Sequence, residues 1–157
     1  MAKMEFELPY GFNKLTIHIP DGIHAELIEA PEPPAAPDPV GLVQAALNYL
    51  LGDLDWGRWR SARTVGIAVS DKTRPVPHDL LLPPLLERLA AEGIQREAIT
   101  FYIGVGTHPA MQPEEFGSIL PEAVLAGYRI VSHDAAMQDN LVYLGETPHG
   151  TPVWCNR

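Results

Sequence analysis

The 157-residue chain has a single cysteine, Cys155, so it forms no intrachain disulfide, and it shows no CxxC or Cys/His metal-ligand spacing. Basic residues are also scarce: 11 Lys+Arg face 20 Asp+Glu, a formal net charge of -9, and no Lys/Arg run occurs. Polynucleotides and anionic membranes, which are held through clustered cations, are therefore poor partners. No apolar run approaches the roughly 20 residues of a bilayer span. Glu5 and Glu7 break any signal-peptide core behind Met1. The default expectation is a soluble cytoplasmic protein. Two signature motifs are missing as well. Gly104-x-Gly106 lacks the third glycine of a dinucleotide-binding fingerprint, and Ser70 lacks the GxSxG nucleophile elbow.

What is present reads as globular: 46% apolar and 20% charged residues, at a length that suits one domain spanning 1–157. The 16 prolines punctuate it. Leu15, Ile17 and Ile19 alternate with Thr16 and His18, the period of a half-buried strand. Pro9-Tyr10-Gly11 and Pro20-Asp21-Gly22 flank it as turns, and a short second strand over 25–29 is expected to pair back as a hairpin. Residues 30–39, with five prolines, form a semi-rigid extended arm within the domain. Asp38-Pro39 caps a helix that carries Val40, Val43, Leu47, Leu50 and Leu51 and stops at Gly52.

Arg63 to Val69 is a nearly unbroken apolar run, expected to be a strand buried on both faces of a parallel sheet. A helix over about 81–92 follows, with Leu85, Leu86 and Leu89 inward and Pro83 and Pro84 admissible only in its first turn. Ile99 to Gly104 is the next buried strand. Residues 113–126 read as a helix in two pieces restarted by Pro121, and 128–132 as a third strand. Residues 141–144 and 151–155 close the chain as a hairpin around Pro148-His149-Gly150. Strands alternating with helices make the fold α/β, with right-handed crossovers.

Ligands of such sheets bind beyond the carboxyl ends of the strands. Two polar loops leave neighbouring strands there, Ser70-Asp71-Lys72-Thr73-Arg74 and Gly106-Thr107-His108, so Asp71, Thr73, Arg74, Thr107 and His108 should surround one cleft. Arg74 either pairs with Asp71 and closes the turn, or clamps a carboxylate or phosphate through its planar fork. Thr73 serves as a helix cap or a ligand contact. An imidazole ordinarily titrates near about 6.5, which suits His108 to proton transfer. His133-Asp134, after the third strand, is a rival that reaches the same edge or caps a turn. His18, His24, His78 and His149 read as surface residues, and Cys155 as a buried, inert thiol.

The runs Leu8-Pro9-Tyr10-Gly11, Ser70-Asp71-Lys72-Thr73-Arg74-Pro75-Val76-Pro77, Gly106-Thr107-His108-Pro109-Ala110-Met111 and Val131-Ser132-His133-Asp134 occur in this order. Leu141-Val142-Tyr143-Leu144-Gly145 and Gly150-Thr151-Pro152-Val153-Trp154-Cys155-Asn156-Arg157 follow. Together they resemble the N-terminal portion of the lactate racemase family. The resemblance implies a Rossmann-like domain and a nickel-pincer nucleotide that takes a hydride from a 2-hydroxy acid and returns it to either face. By motif match, His108 would be a proton-exchanging catalytic base, Arg74 and Asp71 substrate-binding, and Thr73 and Thr107 cofactor-binding. The family's cofactor-bearing lysine, nickel-ligating histidine and second catalytic histidine have no matching motif here. The expectation is therefore that this chain alone binds no cofactor or metal and is incomplete without a C-terminal region or a partner chain. Apolar surface near the terminal hairpin is expected to stay open and to favour homo-oligomers. The competing reading is a non-catalytic module that binds a carboxylate or phosphate. A serine hydrolase built on Ser70, Asp71 and His108 is disfavoured, because adjacent side chains leave a strand in different directions.

Overall fold

Hydrophobic alternation organises the fold, which a computed structural model describes for residues 4–28, 30–52 and 54–156. The chain is mixed α/β and forms two units, Met1–Ala35 and Ala36–Arg157.

In the first unit, β1 (Met4–Tyr10) pairs antiparallel with β2 (Asn13–Ile19) in the register Leu8 to Leu15 and Phe6 to Ile17. The expected partner of β2 was 25–29. Residues 25–28 are not a strand, and Glu29 lies outside the described residues. The turn chemistry decides between the two. Gly11 takes a φ of 58°, open to glycine without strain, and reverses the chain directly between the strands. Pro9 then lies inside β1 opposite Lys14, which a two-stranded sheet tolerates because both of its strands are edges. The proline-rich stretch that follows has no regular structure, as its composition requires.

The second unit opens with α1 (Pro39–Asn48), where the Asp38 side chain accepts from Gly41 N at 2.9 Å and Pro39 fills the first helical position. The helix stops short of the expected Gly52. Tyr49 leaves helical backbone at φ -119° and ψ 72°, and the Leu47 carbonyl freed at the helix end accepts from the Trp56 indole N–H at 2.7 Å. Trp56 belongs to a 3-10 turn (Trp56–Trp59), and Asp53 before it lies outside the described residues.

Strands β3 (Val65–Ser70), β4 (Ile99–Gly104) and β5 (Arg129–Ser132) form a parallel sheet in that order, with β4 central. Helix α2 (His78–Ala91) crosses from β3 to β4. A 3-10 turn (Pro113–Ser118) and α3 (Glu122–Gly127) cross from β4 to β5. The core lies on one face of this sheet, where Phe101 and Ile103 are fully buried among Leu82, Leu89, Phe116 and Val124. This corrects the expectation of strands buried on both faces: Val69, Ile99 and Ile103 point inward, while Gly66, Ala68, Tyr102 and Gly104 are exposed. Among the described residues, the sheet's second face has no covering layer.

Helix α2 also starts earlier than expected, at His78, which places Pro83 and Pro84 past its first turn. The missing N–H groups strand the carbonyls of Asp79 and Leu80. Asp79 is exposed and Leu80 half-exposed, so water can satisfy those groups near the helix start. The last hairpin follows expectation, with β6 (Leu141–Glu146) against β7 (Pro152–Asn156) and a register shift between Tyr143 and Gly145.

Candidate functional site

Parallel pairing sets Ser70 opposite Gly104, so the loops leaving β3 and β4 emerge side by side at the carboxyl edge. Asp71 is the first residue beyond β3 and is 4% exposed. A buried carboxylate needs partners for both oxygens. Its Oδ1 accepts from the Thr73 backbone N–H at 3.1 Å and the Thr73 hydroxyl at 2.6 Å. Its Oδ2 lies 2.7 Å from Nδ1 of His108. The hydrogen bond from His108, and next the one from Thr73, hold the Asp71 carboxyl down at about 2.

His108 reaches Asp71 through a tight turn after β4. Gly106 adopts a φ of 60°, and the His108 N–H donates to the Val105 carbonyl at 3.0 Å. The imidazole side chain is half-exposed, against 6% for Asp71. With Nδ1–H donating to a carboxylate, the neutral ring presents Nε2 as a proton acceptor. The pair is a base with its orienting acid, and the base is the member that solvent can reach.

Arg74 does not close its turn on the Asp71 side chain, whose oxygens are already taken. Its backbone N–H donates to the Asp71 carbonyl at 3.1 Å. Its guanidinium is exposed and has no hydrogen bond or ion pair among the described residues. Thr107 is exposed as well.

Residues that the sequence reading passed over brace this edge. Lys72 pairs with Glu115 at the start of the 3-10 turn, and that cation holds the Glu115 carboxyl below its usual range. Glu115 also accepts from Gln112 N at 2.9 Å. The Ser132 hydroxyl accepts from Met111 N at 2.9 Å, which ties the His108 loop to the end of β5. Lys72 and Ser132 lie in the runs Ser70-Asp71-Lys72-Thr73-Arg74 and Val131-Ser132-His133-Asp134, but nothing in those runs pointed to these contacts.

His133 is the first residue past β5, on the same carboxyl edge of the sheet. Its backbone N–H donates to Ile103 O at 3.0 Å, and its Nδ1 lies 2.6 Å from Asn156 Nδ2 of β7. His18 is exposed and faces Glu5 at 2.9 Å, while His24 and His149 are also exposed. His78 corrects the surface reading: it is 5% exposed, with Nδ1 2.8 Å from the Ile119 carbonyl. The overlooked signal was helical spacing, which puts His78 on the buried stripe with Leu82 and Leu89. Cys155 is exposed rather than buried, because its two-stranded hairpin offers no second layer. Among the described residues, no group of three or more His, Cys, Asp or Glu is placed to hold a metal ion. No helix among them is long and apolar enough to cross a membrane.

The family model described as lactate racemase N-terminal domain matches residues 10–157. A lactate racemase of Thermoanaerobacterium thermosaccharolyticum is 26% identical over 158 residues, covering 96% of this chain and 36% of that protein. A lactate racemase of Lactiplantibacillus plantarum is 30% identical over 98 residues, covering 62% of this chain and 23% of that protein. The solved structure of the lactate racemase apoprotein from Thermoanaerobacterium thermosaccharolyticum shares the fold over 98% of this chain, at a TM-score of 0.75 and 24% identity. The match again covers 36% of that protein, so the chain spans about a third of its length.

Proposed function

This chain belongs to the lactate racemase N-terminal domain family, and we propose that its Asp71–His108 pair and Arg74 form the substrate-facing part of a 2-hydroxy acid racemase or epimerase site. The observation that carries this reading is the 2.7 Å contact between His108 Nδ1 and Asp71 Oδ2, which leaves Nε2 of an accessible imidazole free to take a proton. In the proposed reaction Nε2 removes the hydroxyl proton as the carbinol carbon is oxidised, and returns it when the alcohol is restored. Asp71 fixes the ring's orientation and tautomer through Nδ1. Arg74, with its guanidinium unspent, receives the substrate carboxylate through two parallel N–H donors.

The resemblance implies a nickel-pincer nucleotide, which when bound supplies the hydride acceptor and donor. Among the described residues no group of three or more His, Cys, Asp or Glu is placed to hold a metal ion, and the Thr73 hydroxyl proton is given to Asp71. Thr73 is thus read as a brace for Asp71, which leaves Thr107 as the candidate contact for a cofactor phosphate. The residues suit the substrate end of the reaction.

Titration of the chain with D- and L-lactate and with inorganic phosphate, followed by NMR of the His108 ring and the Arg74 guanidinium, tests this reading. Hydroxy acids should shift both signals, and in Arg74→Ala the His108 response should need about 10- to 100-fold more hydroxy acid. Equal or tighter binding of phosphate, with the His108 ring unmoved, would instead favour an anion-binding module.

A further inference from the structure

We propose that the free edge of β3, together with the Gly66, Ala68 and Tyr102 face of the sheet, is a docking surface for one more parallel strand and its amphipathic crossover helix. Three observations converge. Parallel sheets are covered on both faces, yet this one carries its core on a single face, and Tyr102 is 47% exposed on the other. The open face is apolar and shallow: Gly66 and Ala68 are exposed, and a Cβ on Gly66 would come within 3.2 Å of the Tyr102 ring, so that ring lies flat across Gly66 and offers an aromatic surface to a covering element. The free edge of β3 also borders an apolar groove of about 490 Å³, lined by Trp59, Ala62, Leu85 and Leu89.

The handedness of crossovers ties the open edge to the open face. From β3 to β4 to β5 the chain steps in one direction across the sheet and lays its helices on one face. Right-handed connections make the face depend on the direction of the step. Helices on the opposite face therefore accompany strands added in the opposite direction, beyond β3. The two edges differ accordingly. Strand β5 has four residues and starts with Arg129, whereas β3 runs Val65-Gly66-Ile67-Ala68-Val69-Ser70 with no charge, proline or bulge to deter pairing. The occupant is of the kind that longer relatives have length to supply, since the matched fold fills only 36% of the solved one.

The test compares this chain alone, the chain fused to the unmatched part of the Thermoanaerobacterium thermosaccharolyticum lactate racemase, and the chain mixed with that part as a separate polypeptide. Tyr102 nitration by tetranitromethane and hydrogen exchange of β3 are read by mass spectrometry. In the isolated dilute chain, Tyr102 should be nitrated readily and the β3 amides not bonded to β4 should exchange quickly. The fusion or the mixture should slow nitration about tenfold and β3 exchange about 100-fold. Ala68→Arg should leave the melting of the isolated chain unchanged and abolish the added protection. Protection in the isolated chain at every concentration would overturn the proposal. So would protection that tracks dimer formation, which would make a second copy the occupant, or exposure that persists in both fusion and mixture.

Discussion

Nδ1 of His108 sits 2.7 Å from Oδ2 of Asp71, although 37 residues separate them in the chain. The contact sets a pH dependence. The Asp71 carboxyl is depressed in the fold to about 2, so it contributes stability that is fully present above its unfolded value near about 3.9 and is lost as pH falls through about 2. Urea unfolding between pH 5 and 2 should show this loss, and Asp71→Asn should flatten it. A wild-type slope that persists unchanged in the variant would rule out Asp71 as its source.

The same pair fixes a tautomer. With a carboxylate at Nδ1, nitrogen NMR of neutral His108 should show the proton on Nδ1. In Asp71→Asn the amide presents either a carbonyl or an NH₂ to the ring, and when the NH₂ is presented the proton moves to Nε2 and removes the acceptor. A mixed or inverted tautomer is expected in the variant. An Nδ1 proton undisturbed in Asp71→Ala, which offers the ring neither group, would show that Asp71 does not orient it.

Arg74 is exposed and unpartnered among the described residues, so Arg74→Ala should leave the melting temperature within about a degree of wild type. Hydroxy acid binding should weaken by about 10- to 100-fold, the worth of a charge-assisted hydrogen-bonded pair. Arg74→Lys keeps the charge but loses the fork, and should recover only part of the affinity. Full recovery by lysine would mean that Arg74 acts as a point charge.

Gly106 carries the turn that delivers His108, at a φ of 60° and with no atom within 4 Å of an added Cβ. Gly106→Ala therefore meets no clash and reports the backbone preference alone, about 1 kcal/mol of destabilisation. If the turn relaxes, the His108 tautomer signal should weaken in parallel. A variant as stable as wild type would show that the turn adopts another form in solution.

The convergence of the β3 and β4 loops was legible in the sequence because it needs only strand order and parallel pairing. The partner of Asp71 was not. Arg74 lies three residues away in sequence, but the turn engages only its backbone, and the carboxylate is filled by Thr73 and a distant loop. The same limit explains the end of α1, where a distant Trp56 indole takes up the freed Leu47 carbonyl, and the pairing of β2, which depends on the Gly11 turn. Alternation in β3 was hidden because glycine and alanine on the open face read as apolar. Period and punctuation are local signals. These outcomes were set by contacts between segments.

Glu92 offers a test of how the site's scaffold is held. It is 8% exposed at the end of α2, and its carboxylate receives Arg60 Nε and Arg88 Nη2, each at 2.8 Å. The Glu92 hydrogen bond is the main reason the Arg60 guanidinium is raised above its ordinary value. Arg88 in turn lies 5.1 Å above the Trp56 ring and donates to Asn48 at 3.3 Å, so one carboxylate links α2, α1 and the Trp56 turn that leads into β3. Glu92→Ala leaves Arg88 without its buried counter-charge and should cost on the order of 2 kcal/mol, read as a lower urea midpoint. Glu92→Gln keeps the shape and one acceptor and should cost less. The tautomer and ligand response of His108 should survive in both variants while they remain folded, because neither Asp71 nor the Gly106 turn touches this cluster. Loss of the His108 signal in a folded Glu92→Gln protein would show that the two ends of the sheet are coupled.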